Sequence, residues 1–273
     1  KIMNYLLLDT SYIIFYRYYA LLQWWKLAKK DVELSENPFE NNEFVEKFTK
    51  LFLQQITTIK KKLKIHKEEC IVIAARDCHR KDIWRNEIFP QYKESRYKDD
   101  VFMGGEFFKL VYSNDFLLKA GADYIFKCDN LEGDDIVGIT KNEIRKKYPE
   151  ASIYIITNDH DYLQLMDENT KIFNLQFKNL IENKKVFPEA DKNLFYKIVL
   201  GDKSDCIPPI LKGCGPKTTE KYYLNRDLFE NELKKQNAYD KYILNKTLVS
   251  FSEIPDELVN SFMETYKTEL SNL

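Results

Sequence analysis

Ile153-Tyr154-Ile155-Ile156-Thr157-Asn158-Asp159-His160-Asp161 is an apolar run that stops at a pair of acids. The run is short, β-branched and aromatic, so it reads as a strand. Working outward, the same pattern recurs. Tyr5-Leu6-Leu7-Leu8 closes on Asp9, and Ile71-Val72-Ile73-Ala74-Ala75-Arg76 closes on Asp77. Tyr124-Ile125-Phe126 is followed by Glu132, Asp134 and Asp135. Helical stretches separate these strands: Tyr12 to Trp25, then Phe44 to Leu63 at helical period, then Phe107 to Leu118, then a helix opened by Glu132 and running through Lys146. Alternating strands and helices predict an α/β fold with a mainly parallel twisted sheet and helices on both faces. In such a sheet the strand carboxyl ends converge on one crevice, where ligands bind.

Taken singly, each acid has an ordinary explanation. Asp9 is a plausible strand-end cap, and acids in a first helical turn suit the helix dipole. Four consecutive strand-to-helix junctions carrying acids are a different matter. Asp202 and Asp205 follow in Gly201-Asp202-Lys203-Ser204-Asp205, which brings the set to nine carboxylates. Crowded into one crevice they repel one another unless cations neutralise them. Oxygen-only donors suit Mg²⁺ or Mn²⁺. Such a site points to two-metal phosphoryl chemistry and a nuclease.

The bounds agree. A chain of 273 residues holds one large α/β domain, or a domain with an appendage. It is 44% hydrophobic and 14% aromatic, enough for a sizeable core and too much for a disordered chain. The net charge of −1 gives no global basic field, yet a carboxylate-lined site offsets basic patches elsewhere. Between Arg76 and Lys98, seven Arg or Lys face four Asp or Glu. Five dispersed cysteines show neither zinc-pair nor disulfide spacing and read as reduced thiols in an intracellular protein. No run reaches the length of a membrane span, and Lys1-Ile2-Met3-Asn4 leads into a strand without a cleavable signal pattern. Lys29 to Asn42, with Pro38, reads as a loop or insertion. After Asp191 the pattern turns helical, and Gly213-Cys214-Gly215-Pro216-Lys217-Thr218 reads as a tight turn into a helix with proline at its first position.

Six motifs in order carry a family resemblance. They are Tyr5-Leu6-Leu7-Leu8-Asp9; Arg76-Asp77 with Trp84-Arg85 and Phe89-Pro90-Gln91-Tyr92-Lys93-Glu94-Ser95-Arg96; Glu132-Gly133-Asp134-Asp135; Thr157-Asn158-Asp159-His160-Asp161; Gly201-Asp202-Lys203-Ser204-Asp205; and Gly213-Cys214-Gly215-Pro216-Lys217. Nearly the whole chain resembles the 5′-nuclease (flap endonuclease) superfamily, most closely its phage and bacterial 5′-3′ exonucleases. The resemblance implies a PIN-like metal-dependent nuclease domain over 1–191, with an arch segment at about 80–118. A helical duplex-binding region over 192–273 would follow, with a helix–hairpin–helix at about 207–224.

It also implies roles. Asp9, Asp77, Glu132, Asp134 and Asp135 would surround one divalent ion, directly or through waters, and Asp159, Asp161, Asp202 and Asp205 the second. Lys93 and Arg96 would sit on the arch as catalytic cations. Arg17, Arg85, Tyr92 and Lys197 would contact DNA, Tyr92 by stacking on a base; Trp84 has packing as its equal alternative. Gly213, Gly215, Lys217 and Thr218 would hold a duplex phosphate, with K⁺ at the turn. His79 and His160 read as incidental. The implied substrates are DNA with a 5′ flap, nick or fork, in replication or repair. An RNA–DNA primer or a junction is the alternative substrate, and an inactive nucleic-acid-binding relative the alternative of another class. The protein is expected to be a monomer with no membrane association, and no clamp-binding tail follows Leu270. Gly133 replaces the family's usual alanine. The Arg96 to Phe108 segment is short, and Gly104-Gly105 is expected to leave it mobile until substrate orders it.

Overall fold

The computed structural model describes residues 3–98 and 102–273, without the side chains of Tyr97 and Lys98. Lys98 as a basic flank of the arch therefore lies outside the described side chains.

Five strands form one parallel sheet. They are β1 (Asn4–Asp9), β2 (Cys70–Arg76), β3 (Tyr124–Lys127), β4 (Ser152–Ile156) and β5 (Thr170–Phe173), in the spatial order β3-β2-β1-β4-β5. The first four match the strand readings. β5 was not read from the sequence. The register aligns Leu8 with Ala74 on one side and with Ile156 on the other. The chain leaves β1 toward β2 and β3, then returns to the opposite side as β4. The switch point lies between the carboxyl ends of β1 and β4, where a ligand crevice is expected.

Side chains alternate across the sheet. Leu6, Leu8, Val72 and Ala74 face one layer, formed by α1 (Thr10–Ala28), α2 (Asn42–Leu53), α3 (Gln55–Lys62), α5 (Gly105–Ser113) and α6 (Phe116–Lys119), while the short α4 (Arg85–Ile88) follows Trp84, which packs on the opposite side. Of these, α1, α2, α3, α5 and α6 supply the packed aromatics Tyr18, Phe44, Phe48, Phe52 and Phe107 and their neighbours. Tyr5, Leu7, Ile73 and Ala75 face the other layer, beneath α7 (Gly133–Lys147). The expected Phe44 to Leu63 helix is broken at Gln54. Gly104 and Gly105 open α5, and a Cβ on Gly104 would lie 2.2 Å from the Phe102 ring, so close packing explains that glycine.

The remaining chain is helical: α8 (Ala190–Leu200), α9 (Pro216–Leu224), α10 (Arg226–Lys235), α11 (Tyr239–Val249), α12 (Asp256–Thr265) and α13 (Lys267–Ser271). α8, α9 and α10 share a small core of Phe195, Val199, Tyr222, Phe229 and Leu233. The helical region does not run on to the end as a separate unit. Ile254, Phe262, Leu270 and Leu273 join the sheet's own core beside Phe126. Tyr266 Oη meets both the N–H and the carbonyl of Lys127, closing the free edge of β3. Among the described residues no helix is long and apolar enough to cross a membrane, and all five cysteines are free.

Candidate metal centre

A cleft of about 820 Å³ opens at the switch point. Asp9, Asp77, Glu132, Asp134, Asp159 and Asp202 line it, together with Lys93, Arg96 and Lys197. Local structure places each acid. Asp9 caps α1 by accepting from Tyr12 N–H at 3.1 Å, and Thr157 Oγ1 donates to its other oxygen at 2.8 Å. Asp77 accepts from Ser11 Oγ and from the N–H of Gly133 at 2.6 Å. A Cβ on residue 133 would lie 3.1 Å from that Asp77 oxygen, so Gly133 eases a close approach between β2 and the start of α7. Asp159 accepts from Asp161 N–H at 2.9 Å. Gly201, at φ +73, lets Asp202 and Ile207 bridge; a Cβ there would lie 2.3 Å from the Ile207 carbonyl. Asp202 in turn accepts from Ser204 N–H and Oγ.

Oxygens of Glu132, Asp134 and Asp135 lie within 4.8 Å of one another, as do those of Asp134, Asp159 and Asp161. Asp134 belongs to both groups and joins them. The donors are all carboxylate oxygen, which fits hard divalent ions. The electrostatics fit too. Burial drives Asp9 up to about 7, with Asp77 and Asp159 adding to the shift and bonds from Thr157 and Tyr12 opposing it. Burial likewise holds Asp134 well above the carboxylate range, reinforced by Glu132 and Asp135. Such groups gain most from a nearby cation.

Glu132, Asp135, Asp161, Asp202 and Asp205 are already paired with basic side chains. Burial alone would raise Glu132, but Lys93 and Arg85 outweigh it and bring it to about 2. Lys93 pairs with Glu132, and its own N–H donates to the Asp205 carbonyl at 3.0 Å from a left-handed backbone, φ 55. Arg96 reaches Asp205 at 2.6 Å. Lys197 sits between Asp161 and Asp202, 2.7 Å from the latter; despite burial it brings Asp202 to about 2.

Three expectations about individual residues change. Arg85, read as a DNA contact, is 1% exposed. Its guanidinium forks onto Asp135 at 2.7 and 2.9 Å and reaches Glu132 at 2.9 Å. Tyr92, read as a stacking residue, is 3% exposed and donates to Glu132 at 3.0 Å. Arg17 bonds Gln55 on α3 and does not line the cleft. Asp135 is fully buried; Arg85, Trp84 Nε1 and the Glu132 N–H take up its oxygens, so it orients its neighbours and does not face the cleft. Asp205 also sits behind the lining, and Asp161 is buried beside it with an oxygen within 4.8 Å of those of Asp134 and Asp159. Cleft residues that no motif singled out include Phe15, Phe102, Phe108 and Tyr112, with Tyr112 stacked on Arg76 at 3.6 Å. The aromatic content of α1 and α5, which carry Phe15, Phe108 and Tyr112, was visible, but the side of the helix each occupies was not. His79 and His160 line the rim. At the far end, Gly213 takes φ +65 in open space, Gly215 caps α9 ahead of Pro216, Lys217 is exposed, and Thr218 lies in the first turn.

The description 5′-3′ exonuclease, N-terminal resolvase-like domain, matches residues 4–191. The chain belongs to the 5′-3′ exonuclease family. Among relatives of this family, DNA polymerase I of Borreliella burgdorferi is 29% identical over 218 residues, covering 70% of this chain and 22% of that protein. A 5′-3′ exonuclease of Mycoplasmopsis pulmonis is 28% identical over 222 residues, covering 78% of this chain and 64% of the relative. The chain thus spans about a fifth of the polymerase. The bacteriophage T5 flap endonuclease, solved as a pseudo-enzyme–product complex with DNA and metal ions, superposes with TM-score 0.68 at 15% identity, over 99% of this chain and 100% of its own. The zinc-bound T5 5′-exonuclease gives 0.66 at 16%, over 98% and 99%. At that identity the likeness establishes the fold.

Proposed function

We propose that this 5′-3′ exonuclease family member hydrolyses phosphodiesters near the 5′ ends of flapped, nicked or forked DNA, using two Mg²⁺ or Mn²⁺ ions. The observation that carries this is Asp134, held at the mouth of α7 between two oxygen-only groups in a cleft rimmed by Lys93, Arg96 and Lys197. Glu132, Asp134 and Asp9 would hold one ion, and Asp134, Asp159 and Asp161 the other. Asp77 and Asp202 complete the surround. Bound divalent ions supply Lewis-acid activation of an attacking water and neutralise the phosphate.

The chain's own residues do the rest. Thr157 and Tyr12 N–H fix the Asp9 carboxylate. Arg85 and Trp84 fix Asp135, whose bond to the Glu132 N–H sets the start of α7. Lys93 and Arg96, at the foot of the arch, place positive charge where a phosphate becomes more negative. Gly213, Gly215, Lys217 and Thr218 would hold a duplex phosphate on the exposed start of α9, with K⁺ as the turn's cation. Residues 192–249 then form the duplex-binding part, and 254–273 belong with the sheet. A monomer with one cleft suffices for this reaction.

The test is a panel of 5′-flap, nicked, 3′-flap, closed circular and RNA–DNA substrates, each with Mg²⁺ or with chelator. Magnesium-dependent cleavage concentrated on 5′ flaps is expected. Retained binding without cleavage of any substrate in Mg²⁺ or Mn²⁺ would replace the proposal with an inactive binding relative.

A further inference from the structure

The last turn of α11 is fastened to both carboxylate groups at once. A helix ends with backbone carbonyls that have no partner in the helix. Here the Leu248 carbonyl accepts from Arg85 Nε at 2.7 Å, and the Val249 carbonyl accepts from Gln164 Nε2 at 2.9 Å. Arg85 spends its remaining reach on Glu132 and Asp135. Gln164 also donates to the Asp161 carbonyl at 2.9 Å, and its Oε1 accepts from Phe251 N–H at 2.8 Å. One turn upstream, the buried Asn245 donates to the carbonyls of Ile198 at 2.9 Å and Pro208 at 2.8 Å. Those two atoms belong to α8 and to the segment leading into the Gly213 turn.

We propose that residues 245–251 are a strut that sets the spacing of the two metal-binding groups, and that Arg85 and Gln164 are its positioning residues. The inference rests on the two-metal reading above. Arg85 acts on the Glu132 group and Gln164 on the Asp161 backbone, so each side chain holds one group against the same short stretch of helix. Neither touches substrate. A guanidinium at a helix C-terminus is also favoured by the helix dipole, which adds to the anchoring of the shared end. Partners one step removed from metal ligands typically change metal affinity by about 10–100-fold.

Gln164→Ala is the cleaner variant, because it removes three hydrogen bonds and no charge. Arg85→Lys keeps the charge and loses the fork. Mn²⁺ binding, followed by electron paramagnetic resonance of the free ion, counts sites and gives each dissociation constant. The wild type should bind two ions. Gln164→Ala should weaken one site by about tenfold and leave the other within about threefold. Arg85→Lys should weaken at least one site by about tenfold or more, with affinity for a flap duplex in chelator unchanged. Two sites at wild-type affinity in both variants would overturn the strut. So would a loss of duplex affinity in Arg85→Lys with metal binding intact, because that is the profile of a direct DNA contact. If Arg85→Lys fails to fold, Gln164→Ala decides alone. A wild type that binds no Mn²⁺ would instead sink the metal reading itself, a result distinct from wild-type binding in the variants.

Discussion

Lys197→Met should destabilise the metal-free protein and leave the Mg²⁺-loaded protein nearly unchanged. Lys197 Nζ lies between Asp161 and Asp202, 2.7 Å from the latter. Its side chain is 18% exposed and those of the acids 8% and 18%, so the cluster is mostly out of water. Removing one partner of a fully buried pair costs about 3–5 kcal/mol, since the other charge is stranded. Residual exposure discounts that range to about 2–3 kcal/mol. For a chain of this size each kcal/mol moves the melting temperature by about 2–4 °C, which gives a drop of about 4–12 °C in chelator. A divalent ion supplies the missing positive charge, so saturating Mg²⁺ should recover most of the loss. Melting curves of both proteins in chelator and in Mg²⁺ test this directly. An equal drop under both conditions would refute the reasoning, because Lys197 would then be holding the fold by contacts that no cation replaces.

Further outcomes follow from the same geometry. Asp134→Asn should cut cleavage by more than about a hundredfold, above the range for residues one step removed from a metal, while duplex binding in chelator persists; cleavage within tenfold of wild type would remove Asp134 from the site. Asp135→Asn should act first on stability, lowering the melting temperature with and without metal, because it breaks the Arg85 fork. Metal-free stability should fall as pH rises from about 4 to about 7. Asp9 titrates at about 7 folded against an ordinary 3.8, so the folded state binds more protons through that window. Asp134 and Asp205 shift the same way; Glu132 and Asp202, at about 2, act only below it. Melting temperatures from pH 5 to 7.5 check the slope, and saturating Mg²⁺ should flatten it. Lys93→Ala should lower the single-turnover rate more than binding, and Lys217→Ala should weaken binding and its salt dependence more than the rate. Matching profiles would unseat both assignments.

The strand–acid junctions were legible because each is local: a buried strand, its end, and the residue that follows. What the sequence hid depends on contacts far along the chain. Arg85 and Tyr92 sit in a basic motif that resembles a nucleic-acid contact, and only the fold shows Glu132 and Asp135 packed against them. Asp135 was not separable locally: successive residues on a helix point about 100° apart, yet its oxygens still lie within 4.8 Å of those of Glu132 and Asp134, and it is the remote Arg85 and Trp84 that claim it. β5 escaped notice because Thr170-Lys171-Ile172-Phe173 is only four residues long, at the sheet edge. The break at Gln54 has no glycine or proline to announce it. The return of α12 and α13 to the sheet turns on Phe262 and Tyr266 meeting Phe126, which no local pattern records.

Electrostatic balance ties these points together. Nine carboxylates in one region would be untenable alone, and repulsion was the first argument for metal. The protein answers part of it internally. Arg85, Lys93, Arg96 and Lys197 each pair with one or two of the acids. Those four cations leave five negative charges if every acid is ionised, and the upward shifts of Asp9 and Asp134 show where protonation relieves the excess. Asp9 and Asp134 are also among the proposed ligands that face the cleft, with no lysine or arginine bonded to them among the described residues. Glu132 and Asp202 are thus held by cations, whereas Asp9 and Asp134 are not. Arg85 is buried behind the ligands and stays with its acids whatever binds. Lys93, Arg96 and Lys197 line the cleft itself, so two divalent ions entering beside Asp134 would compete with them for the same carboxylates. A phosphate arriving at those ions would then find three basic side chains less firmly held than in the metal-free protein. Metal loading should therefore strengthen binding of a scissile phosphate by more than the ions' own charge provides, and a Lys197→Met variant should lose that increment selectively.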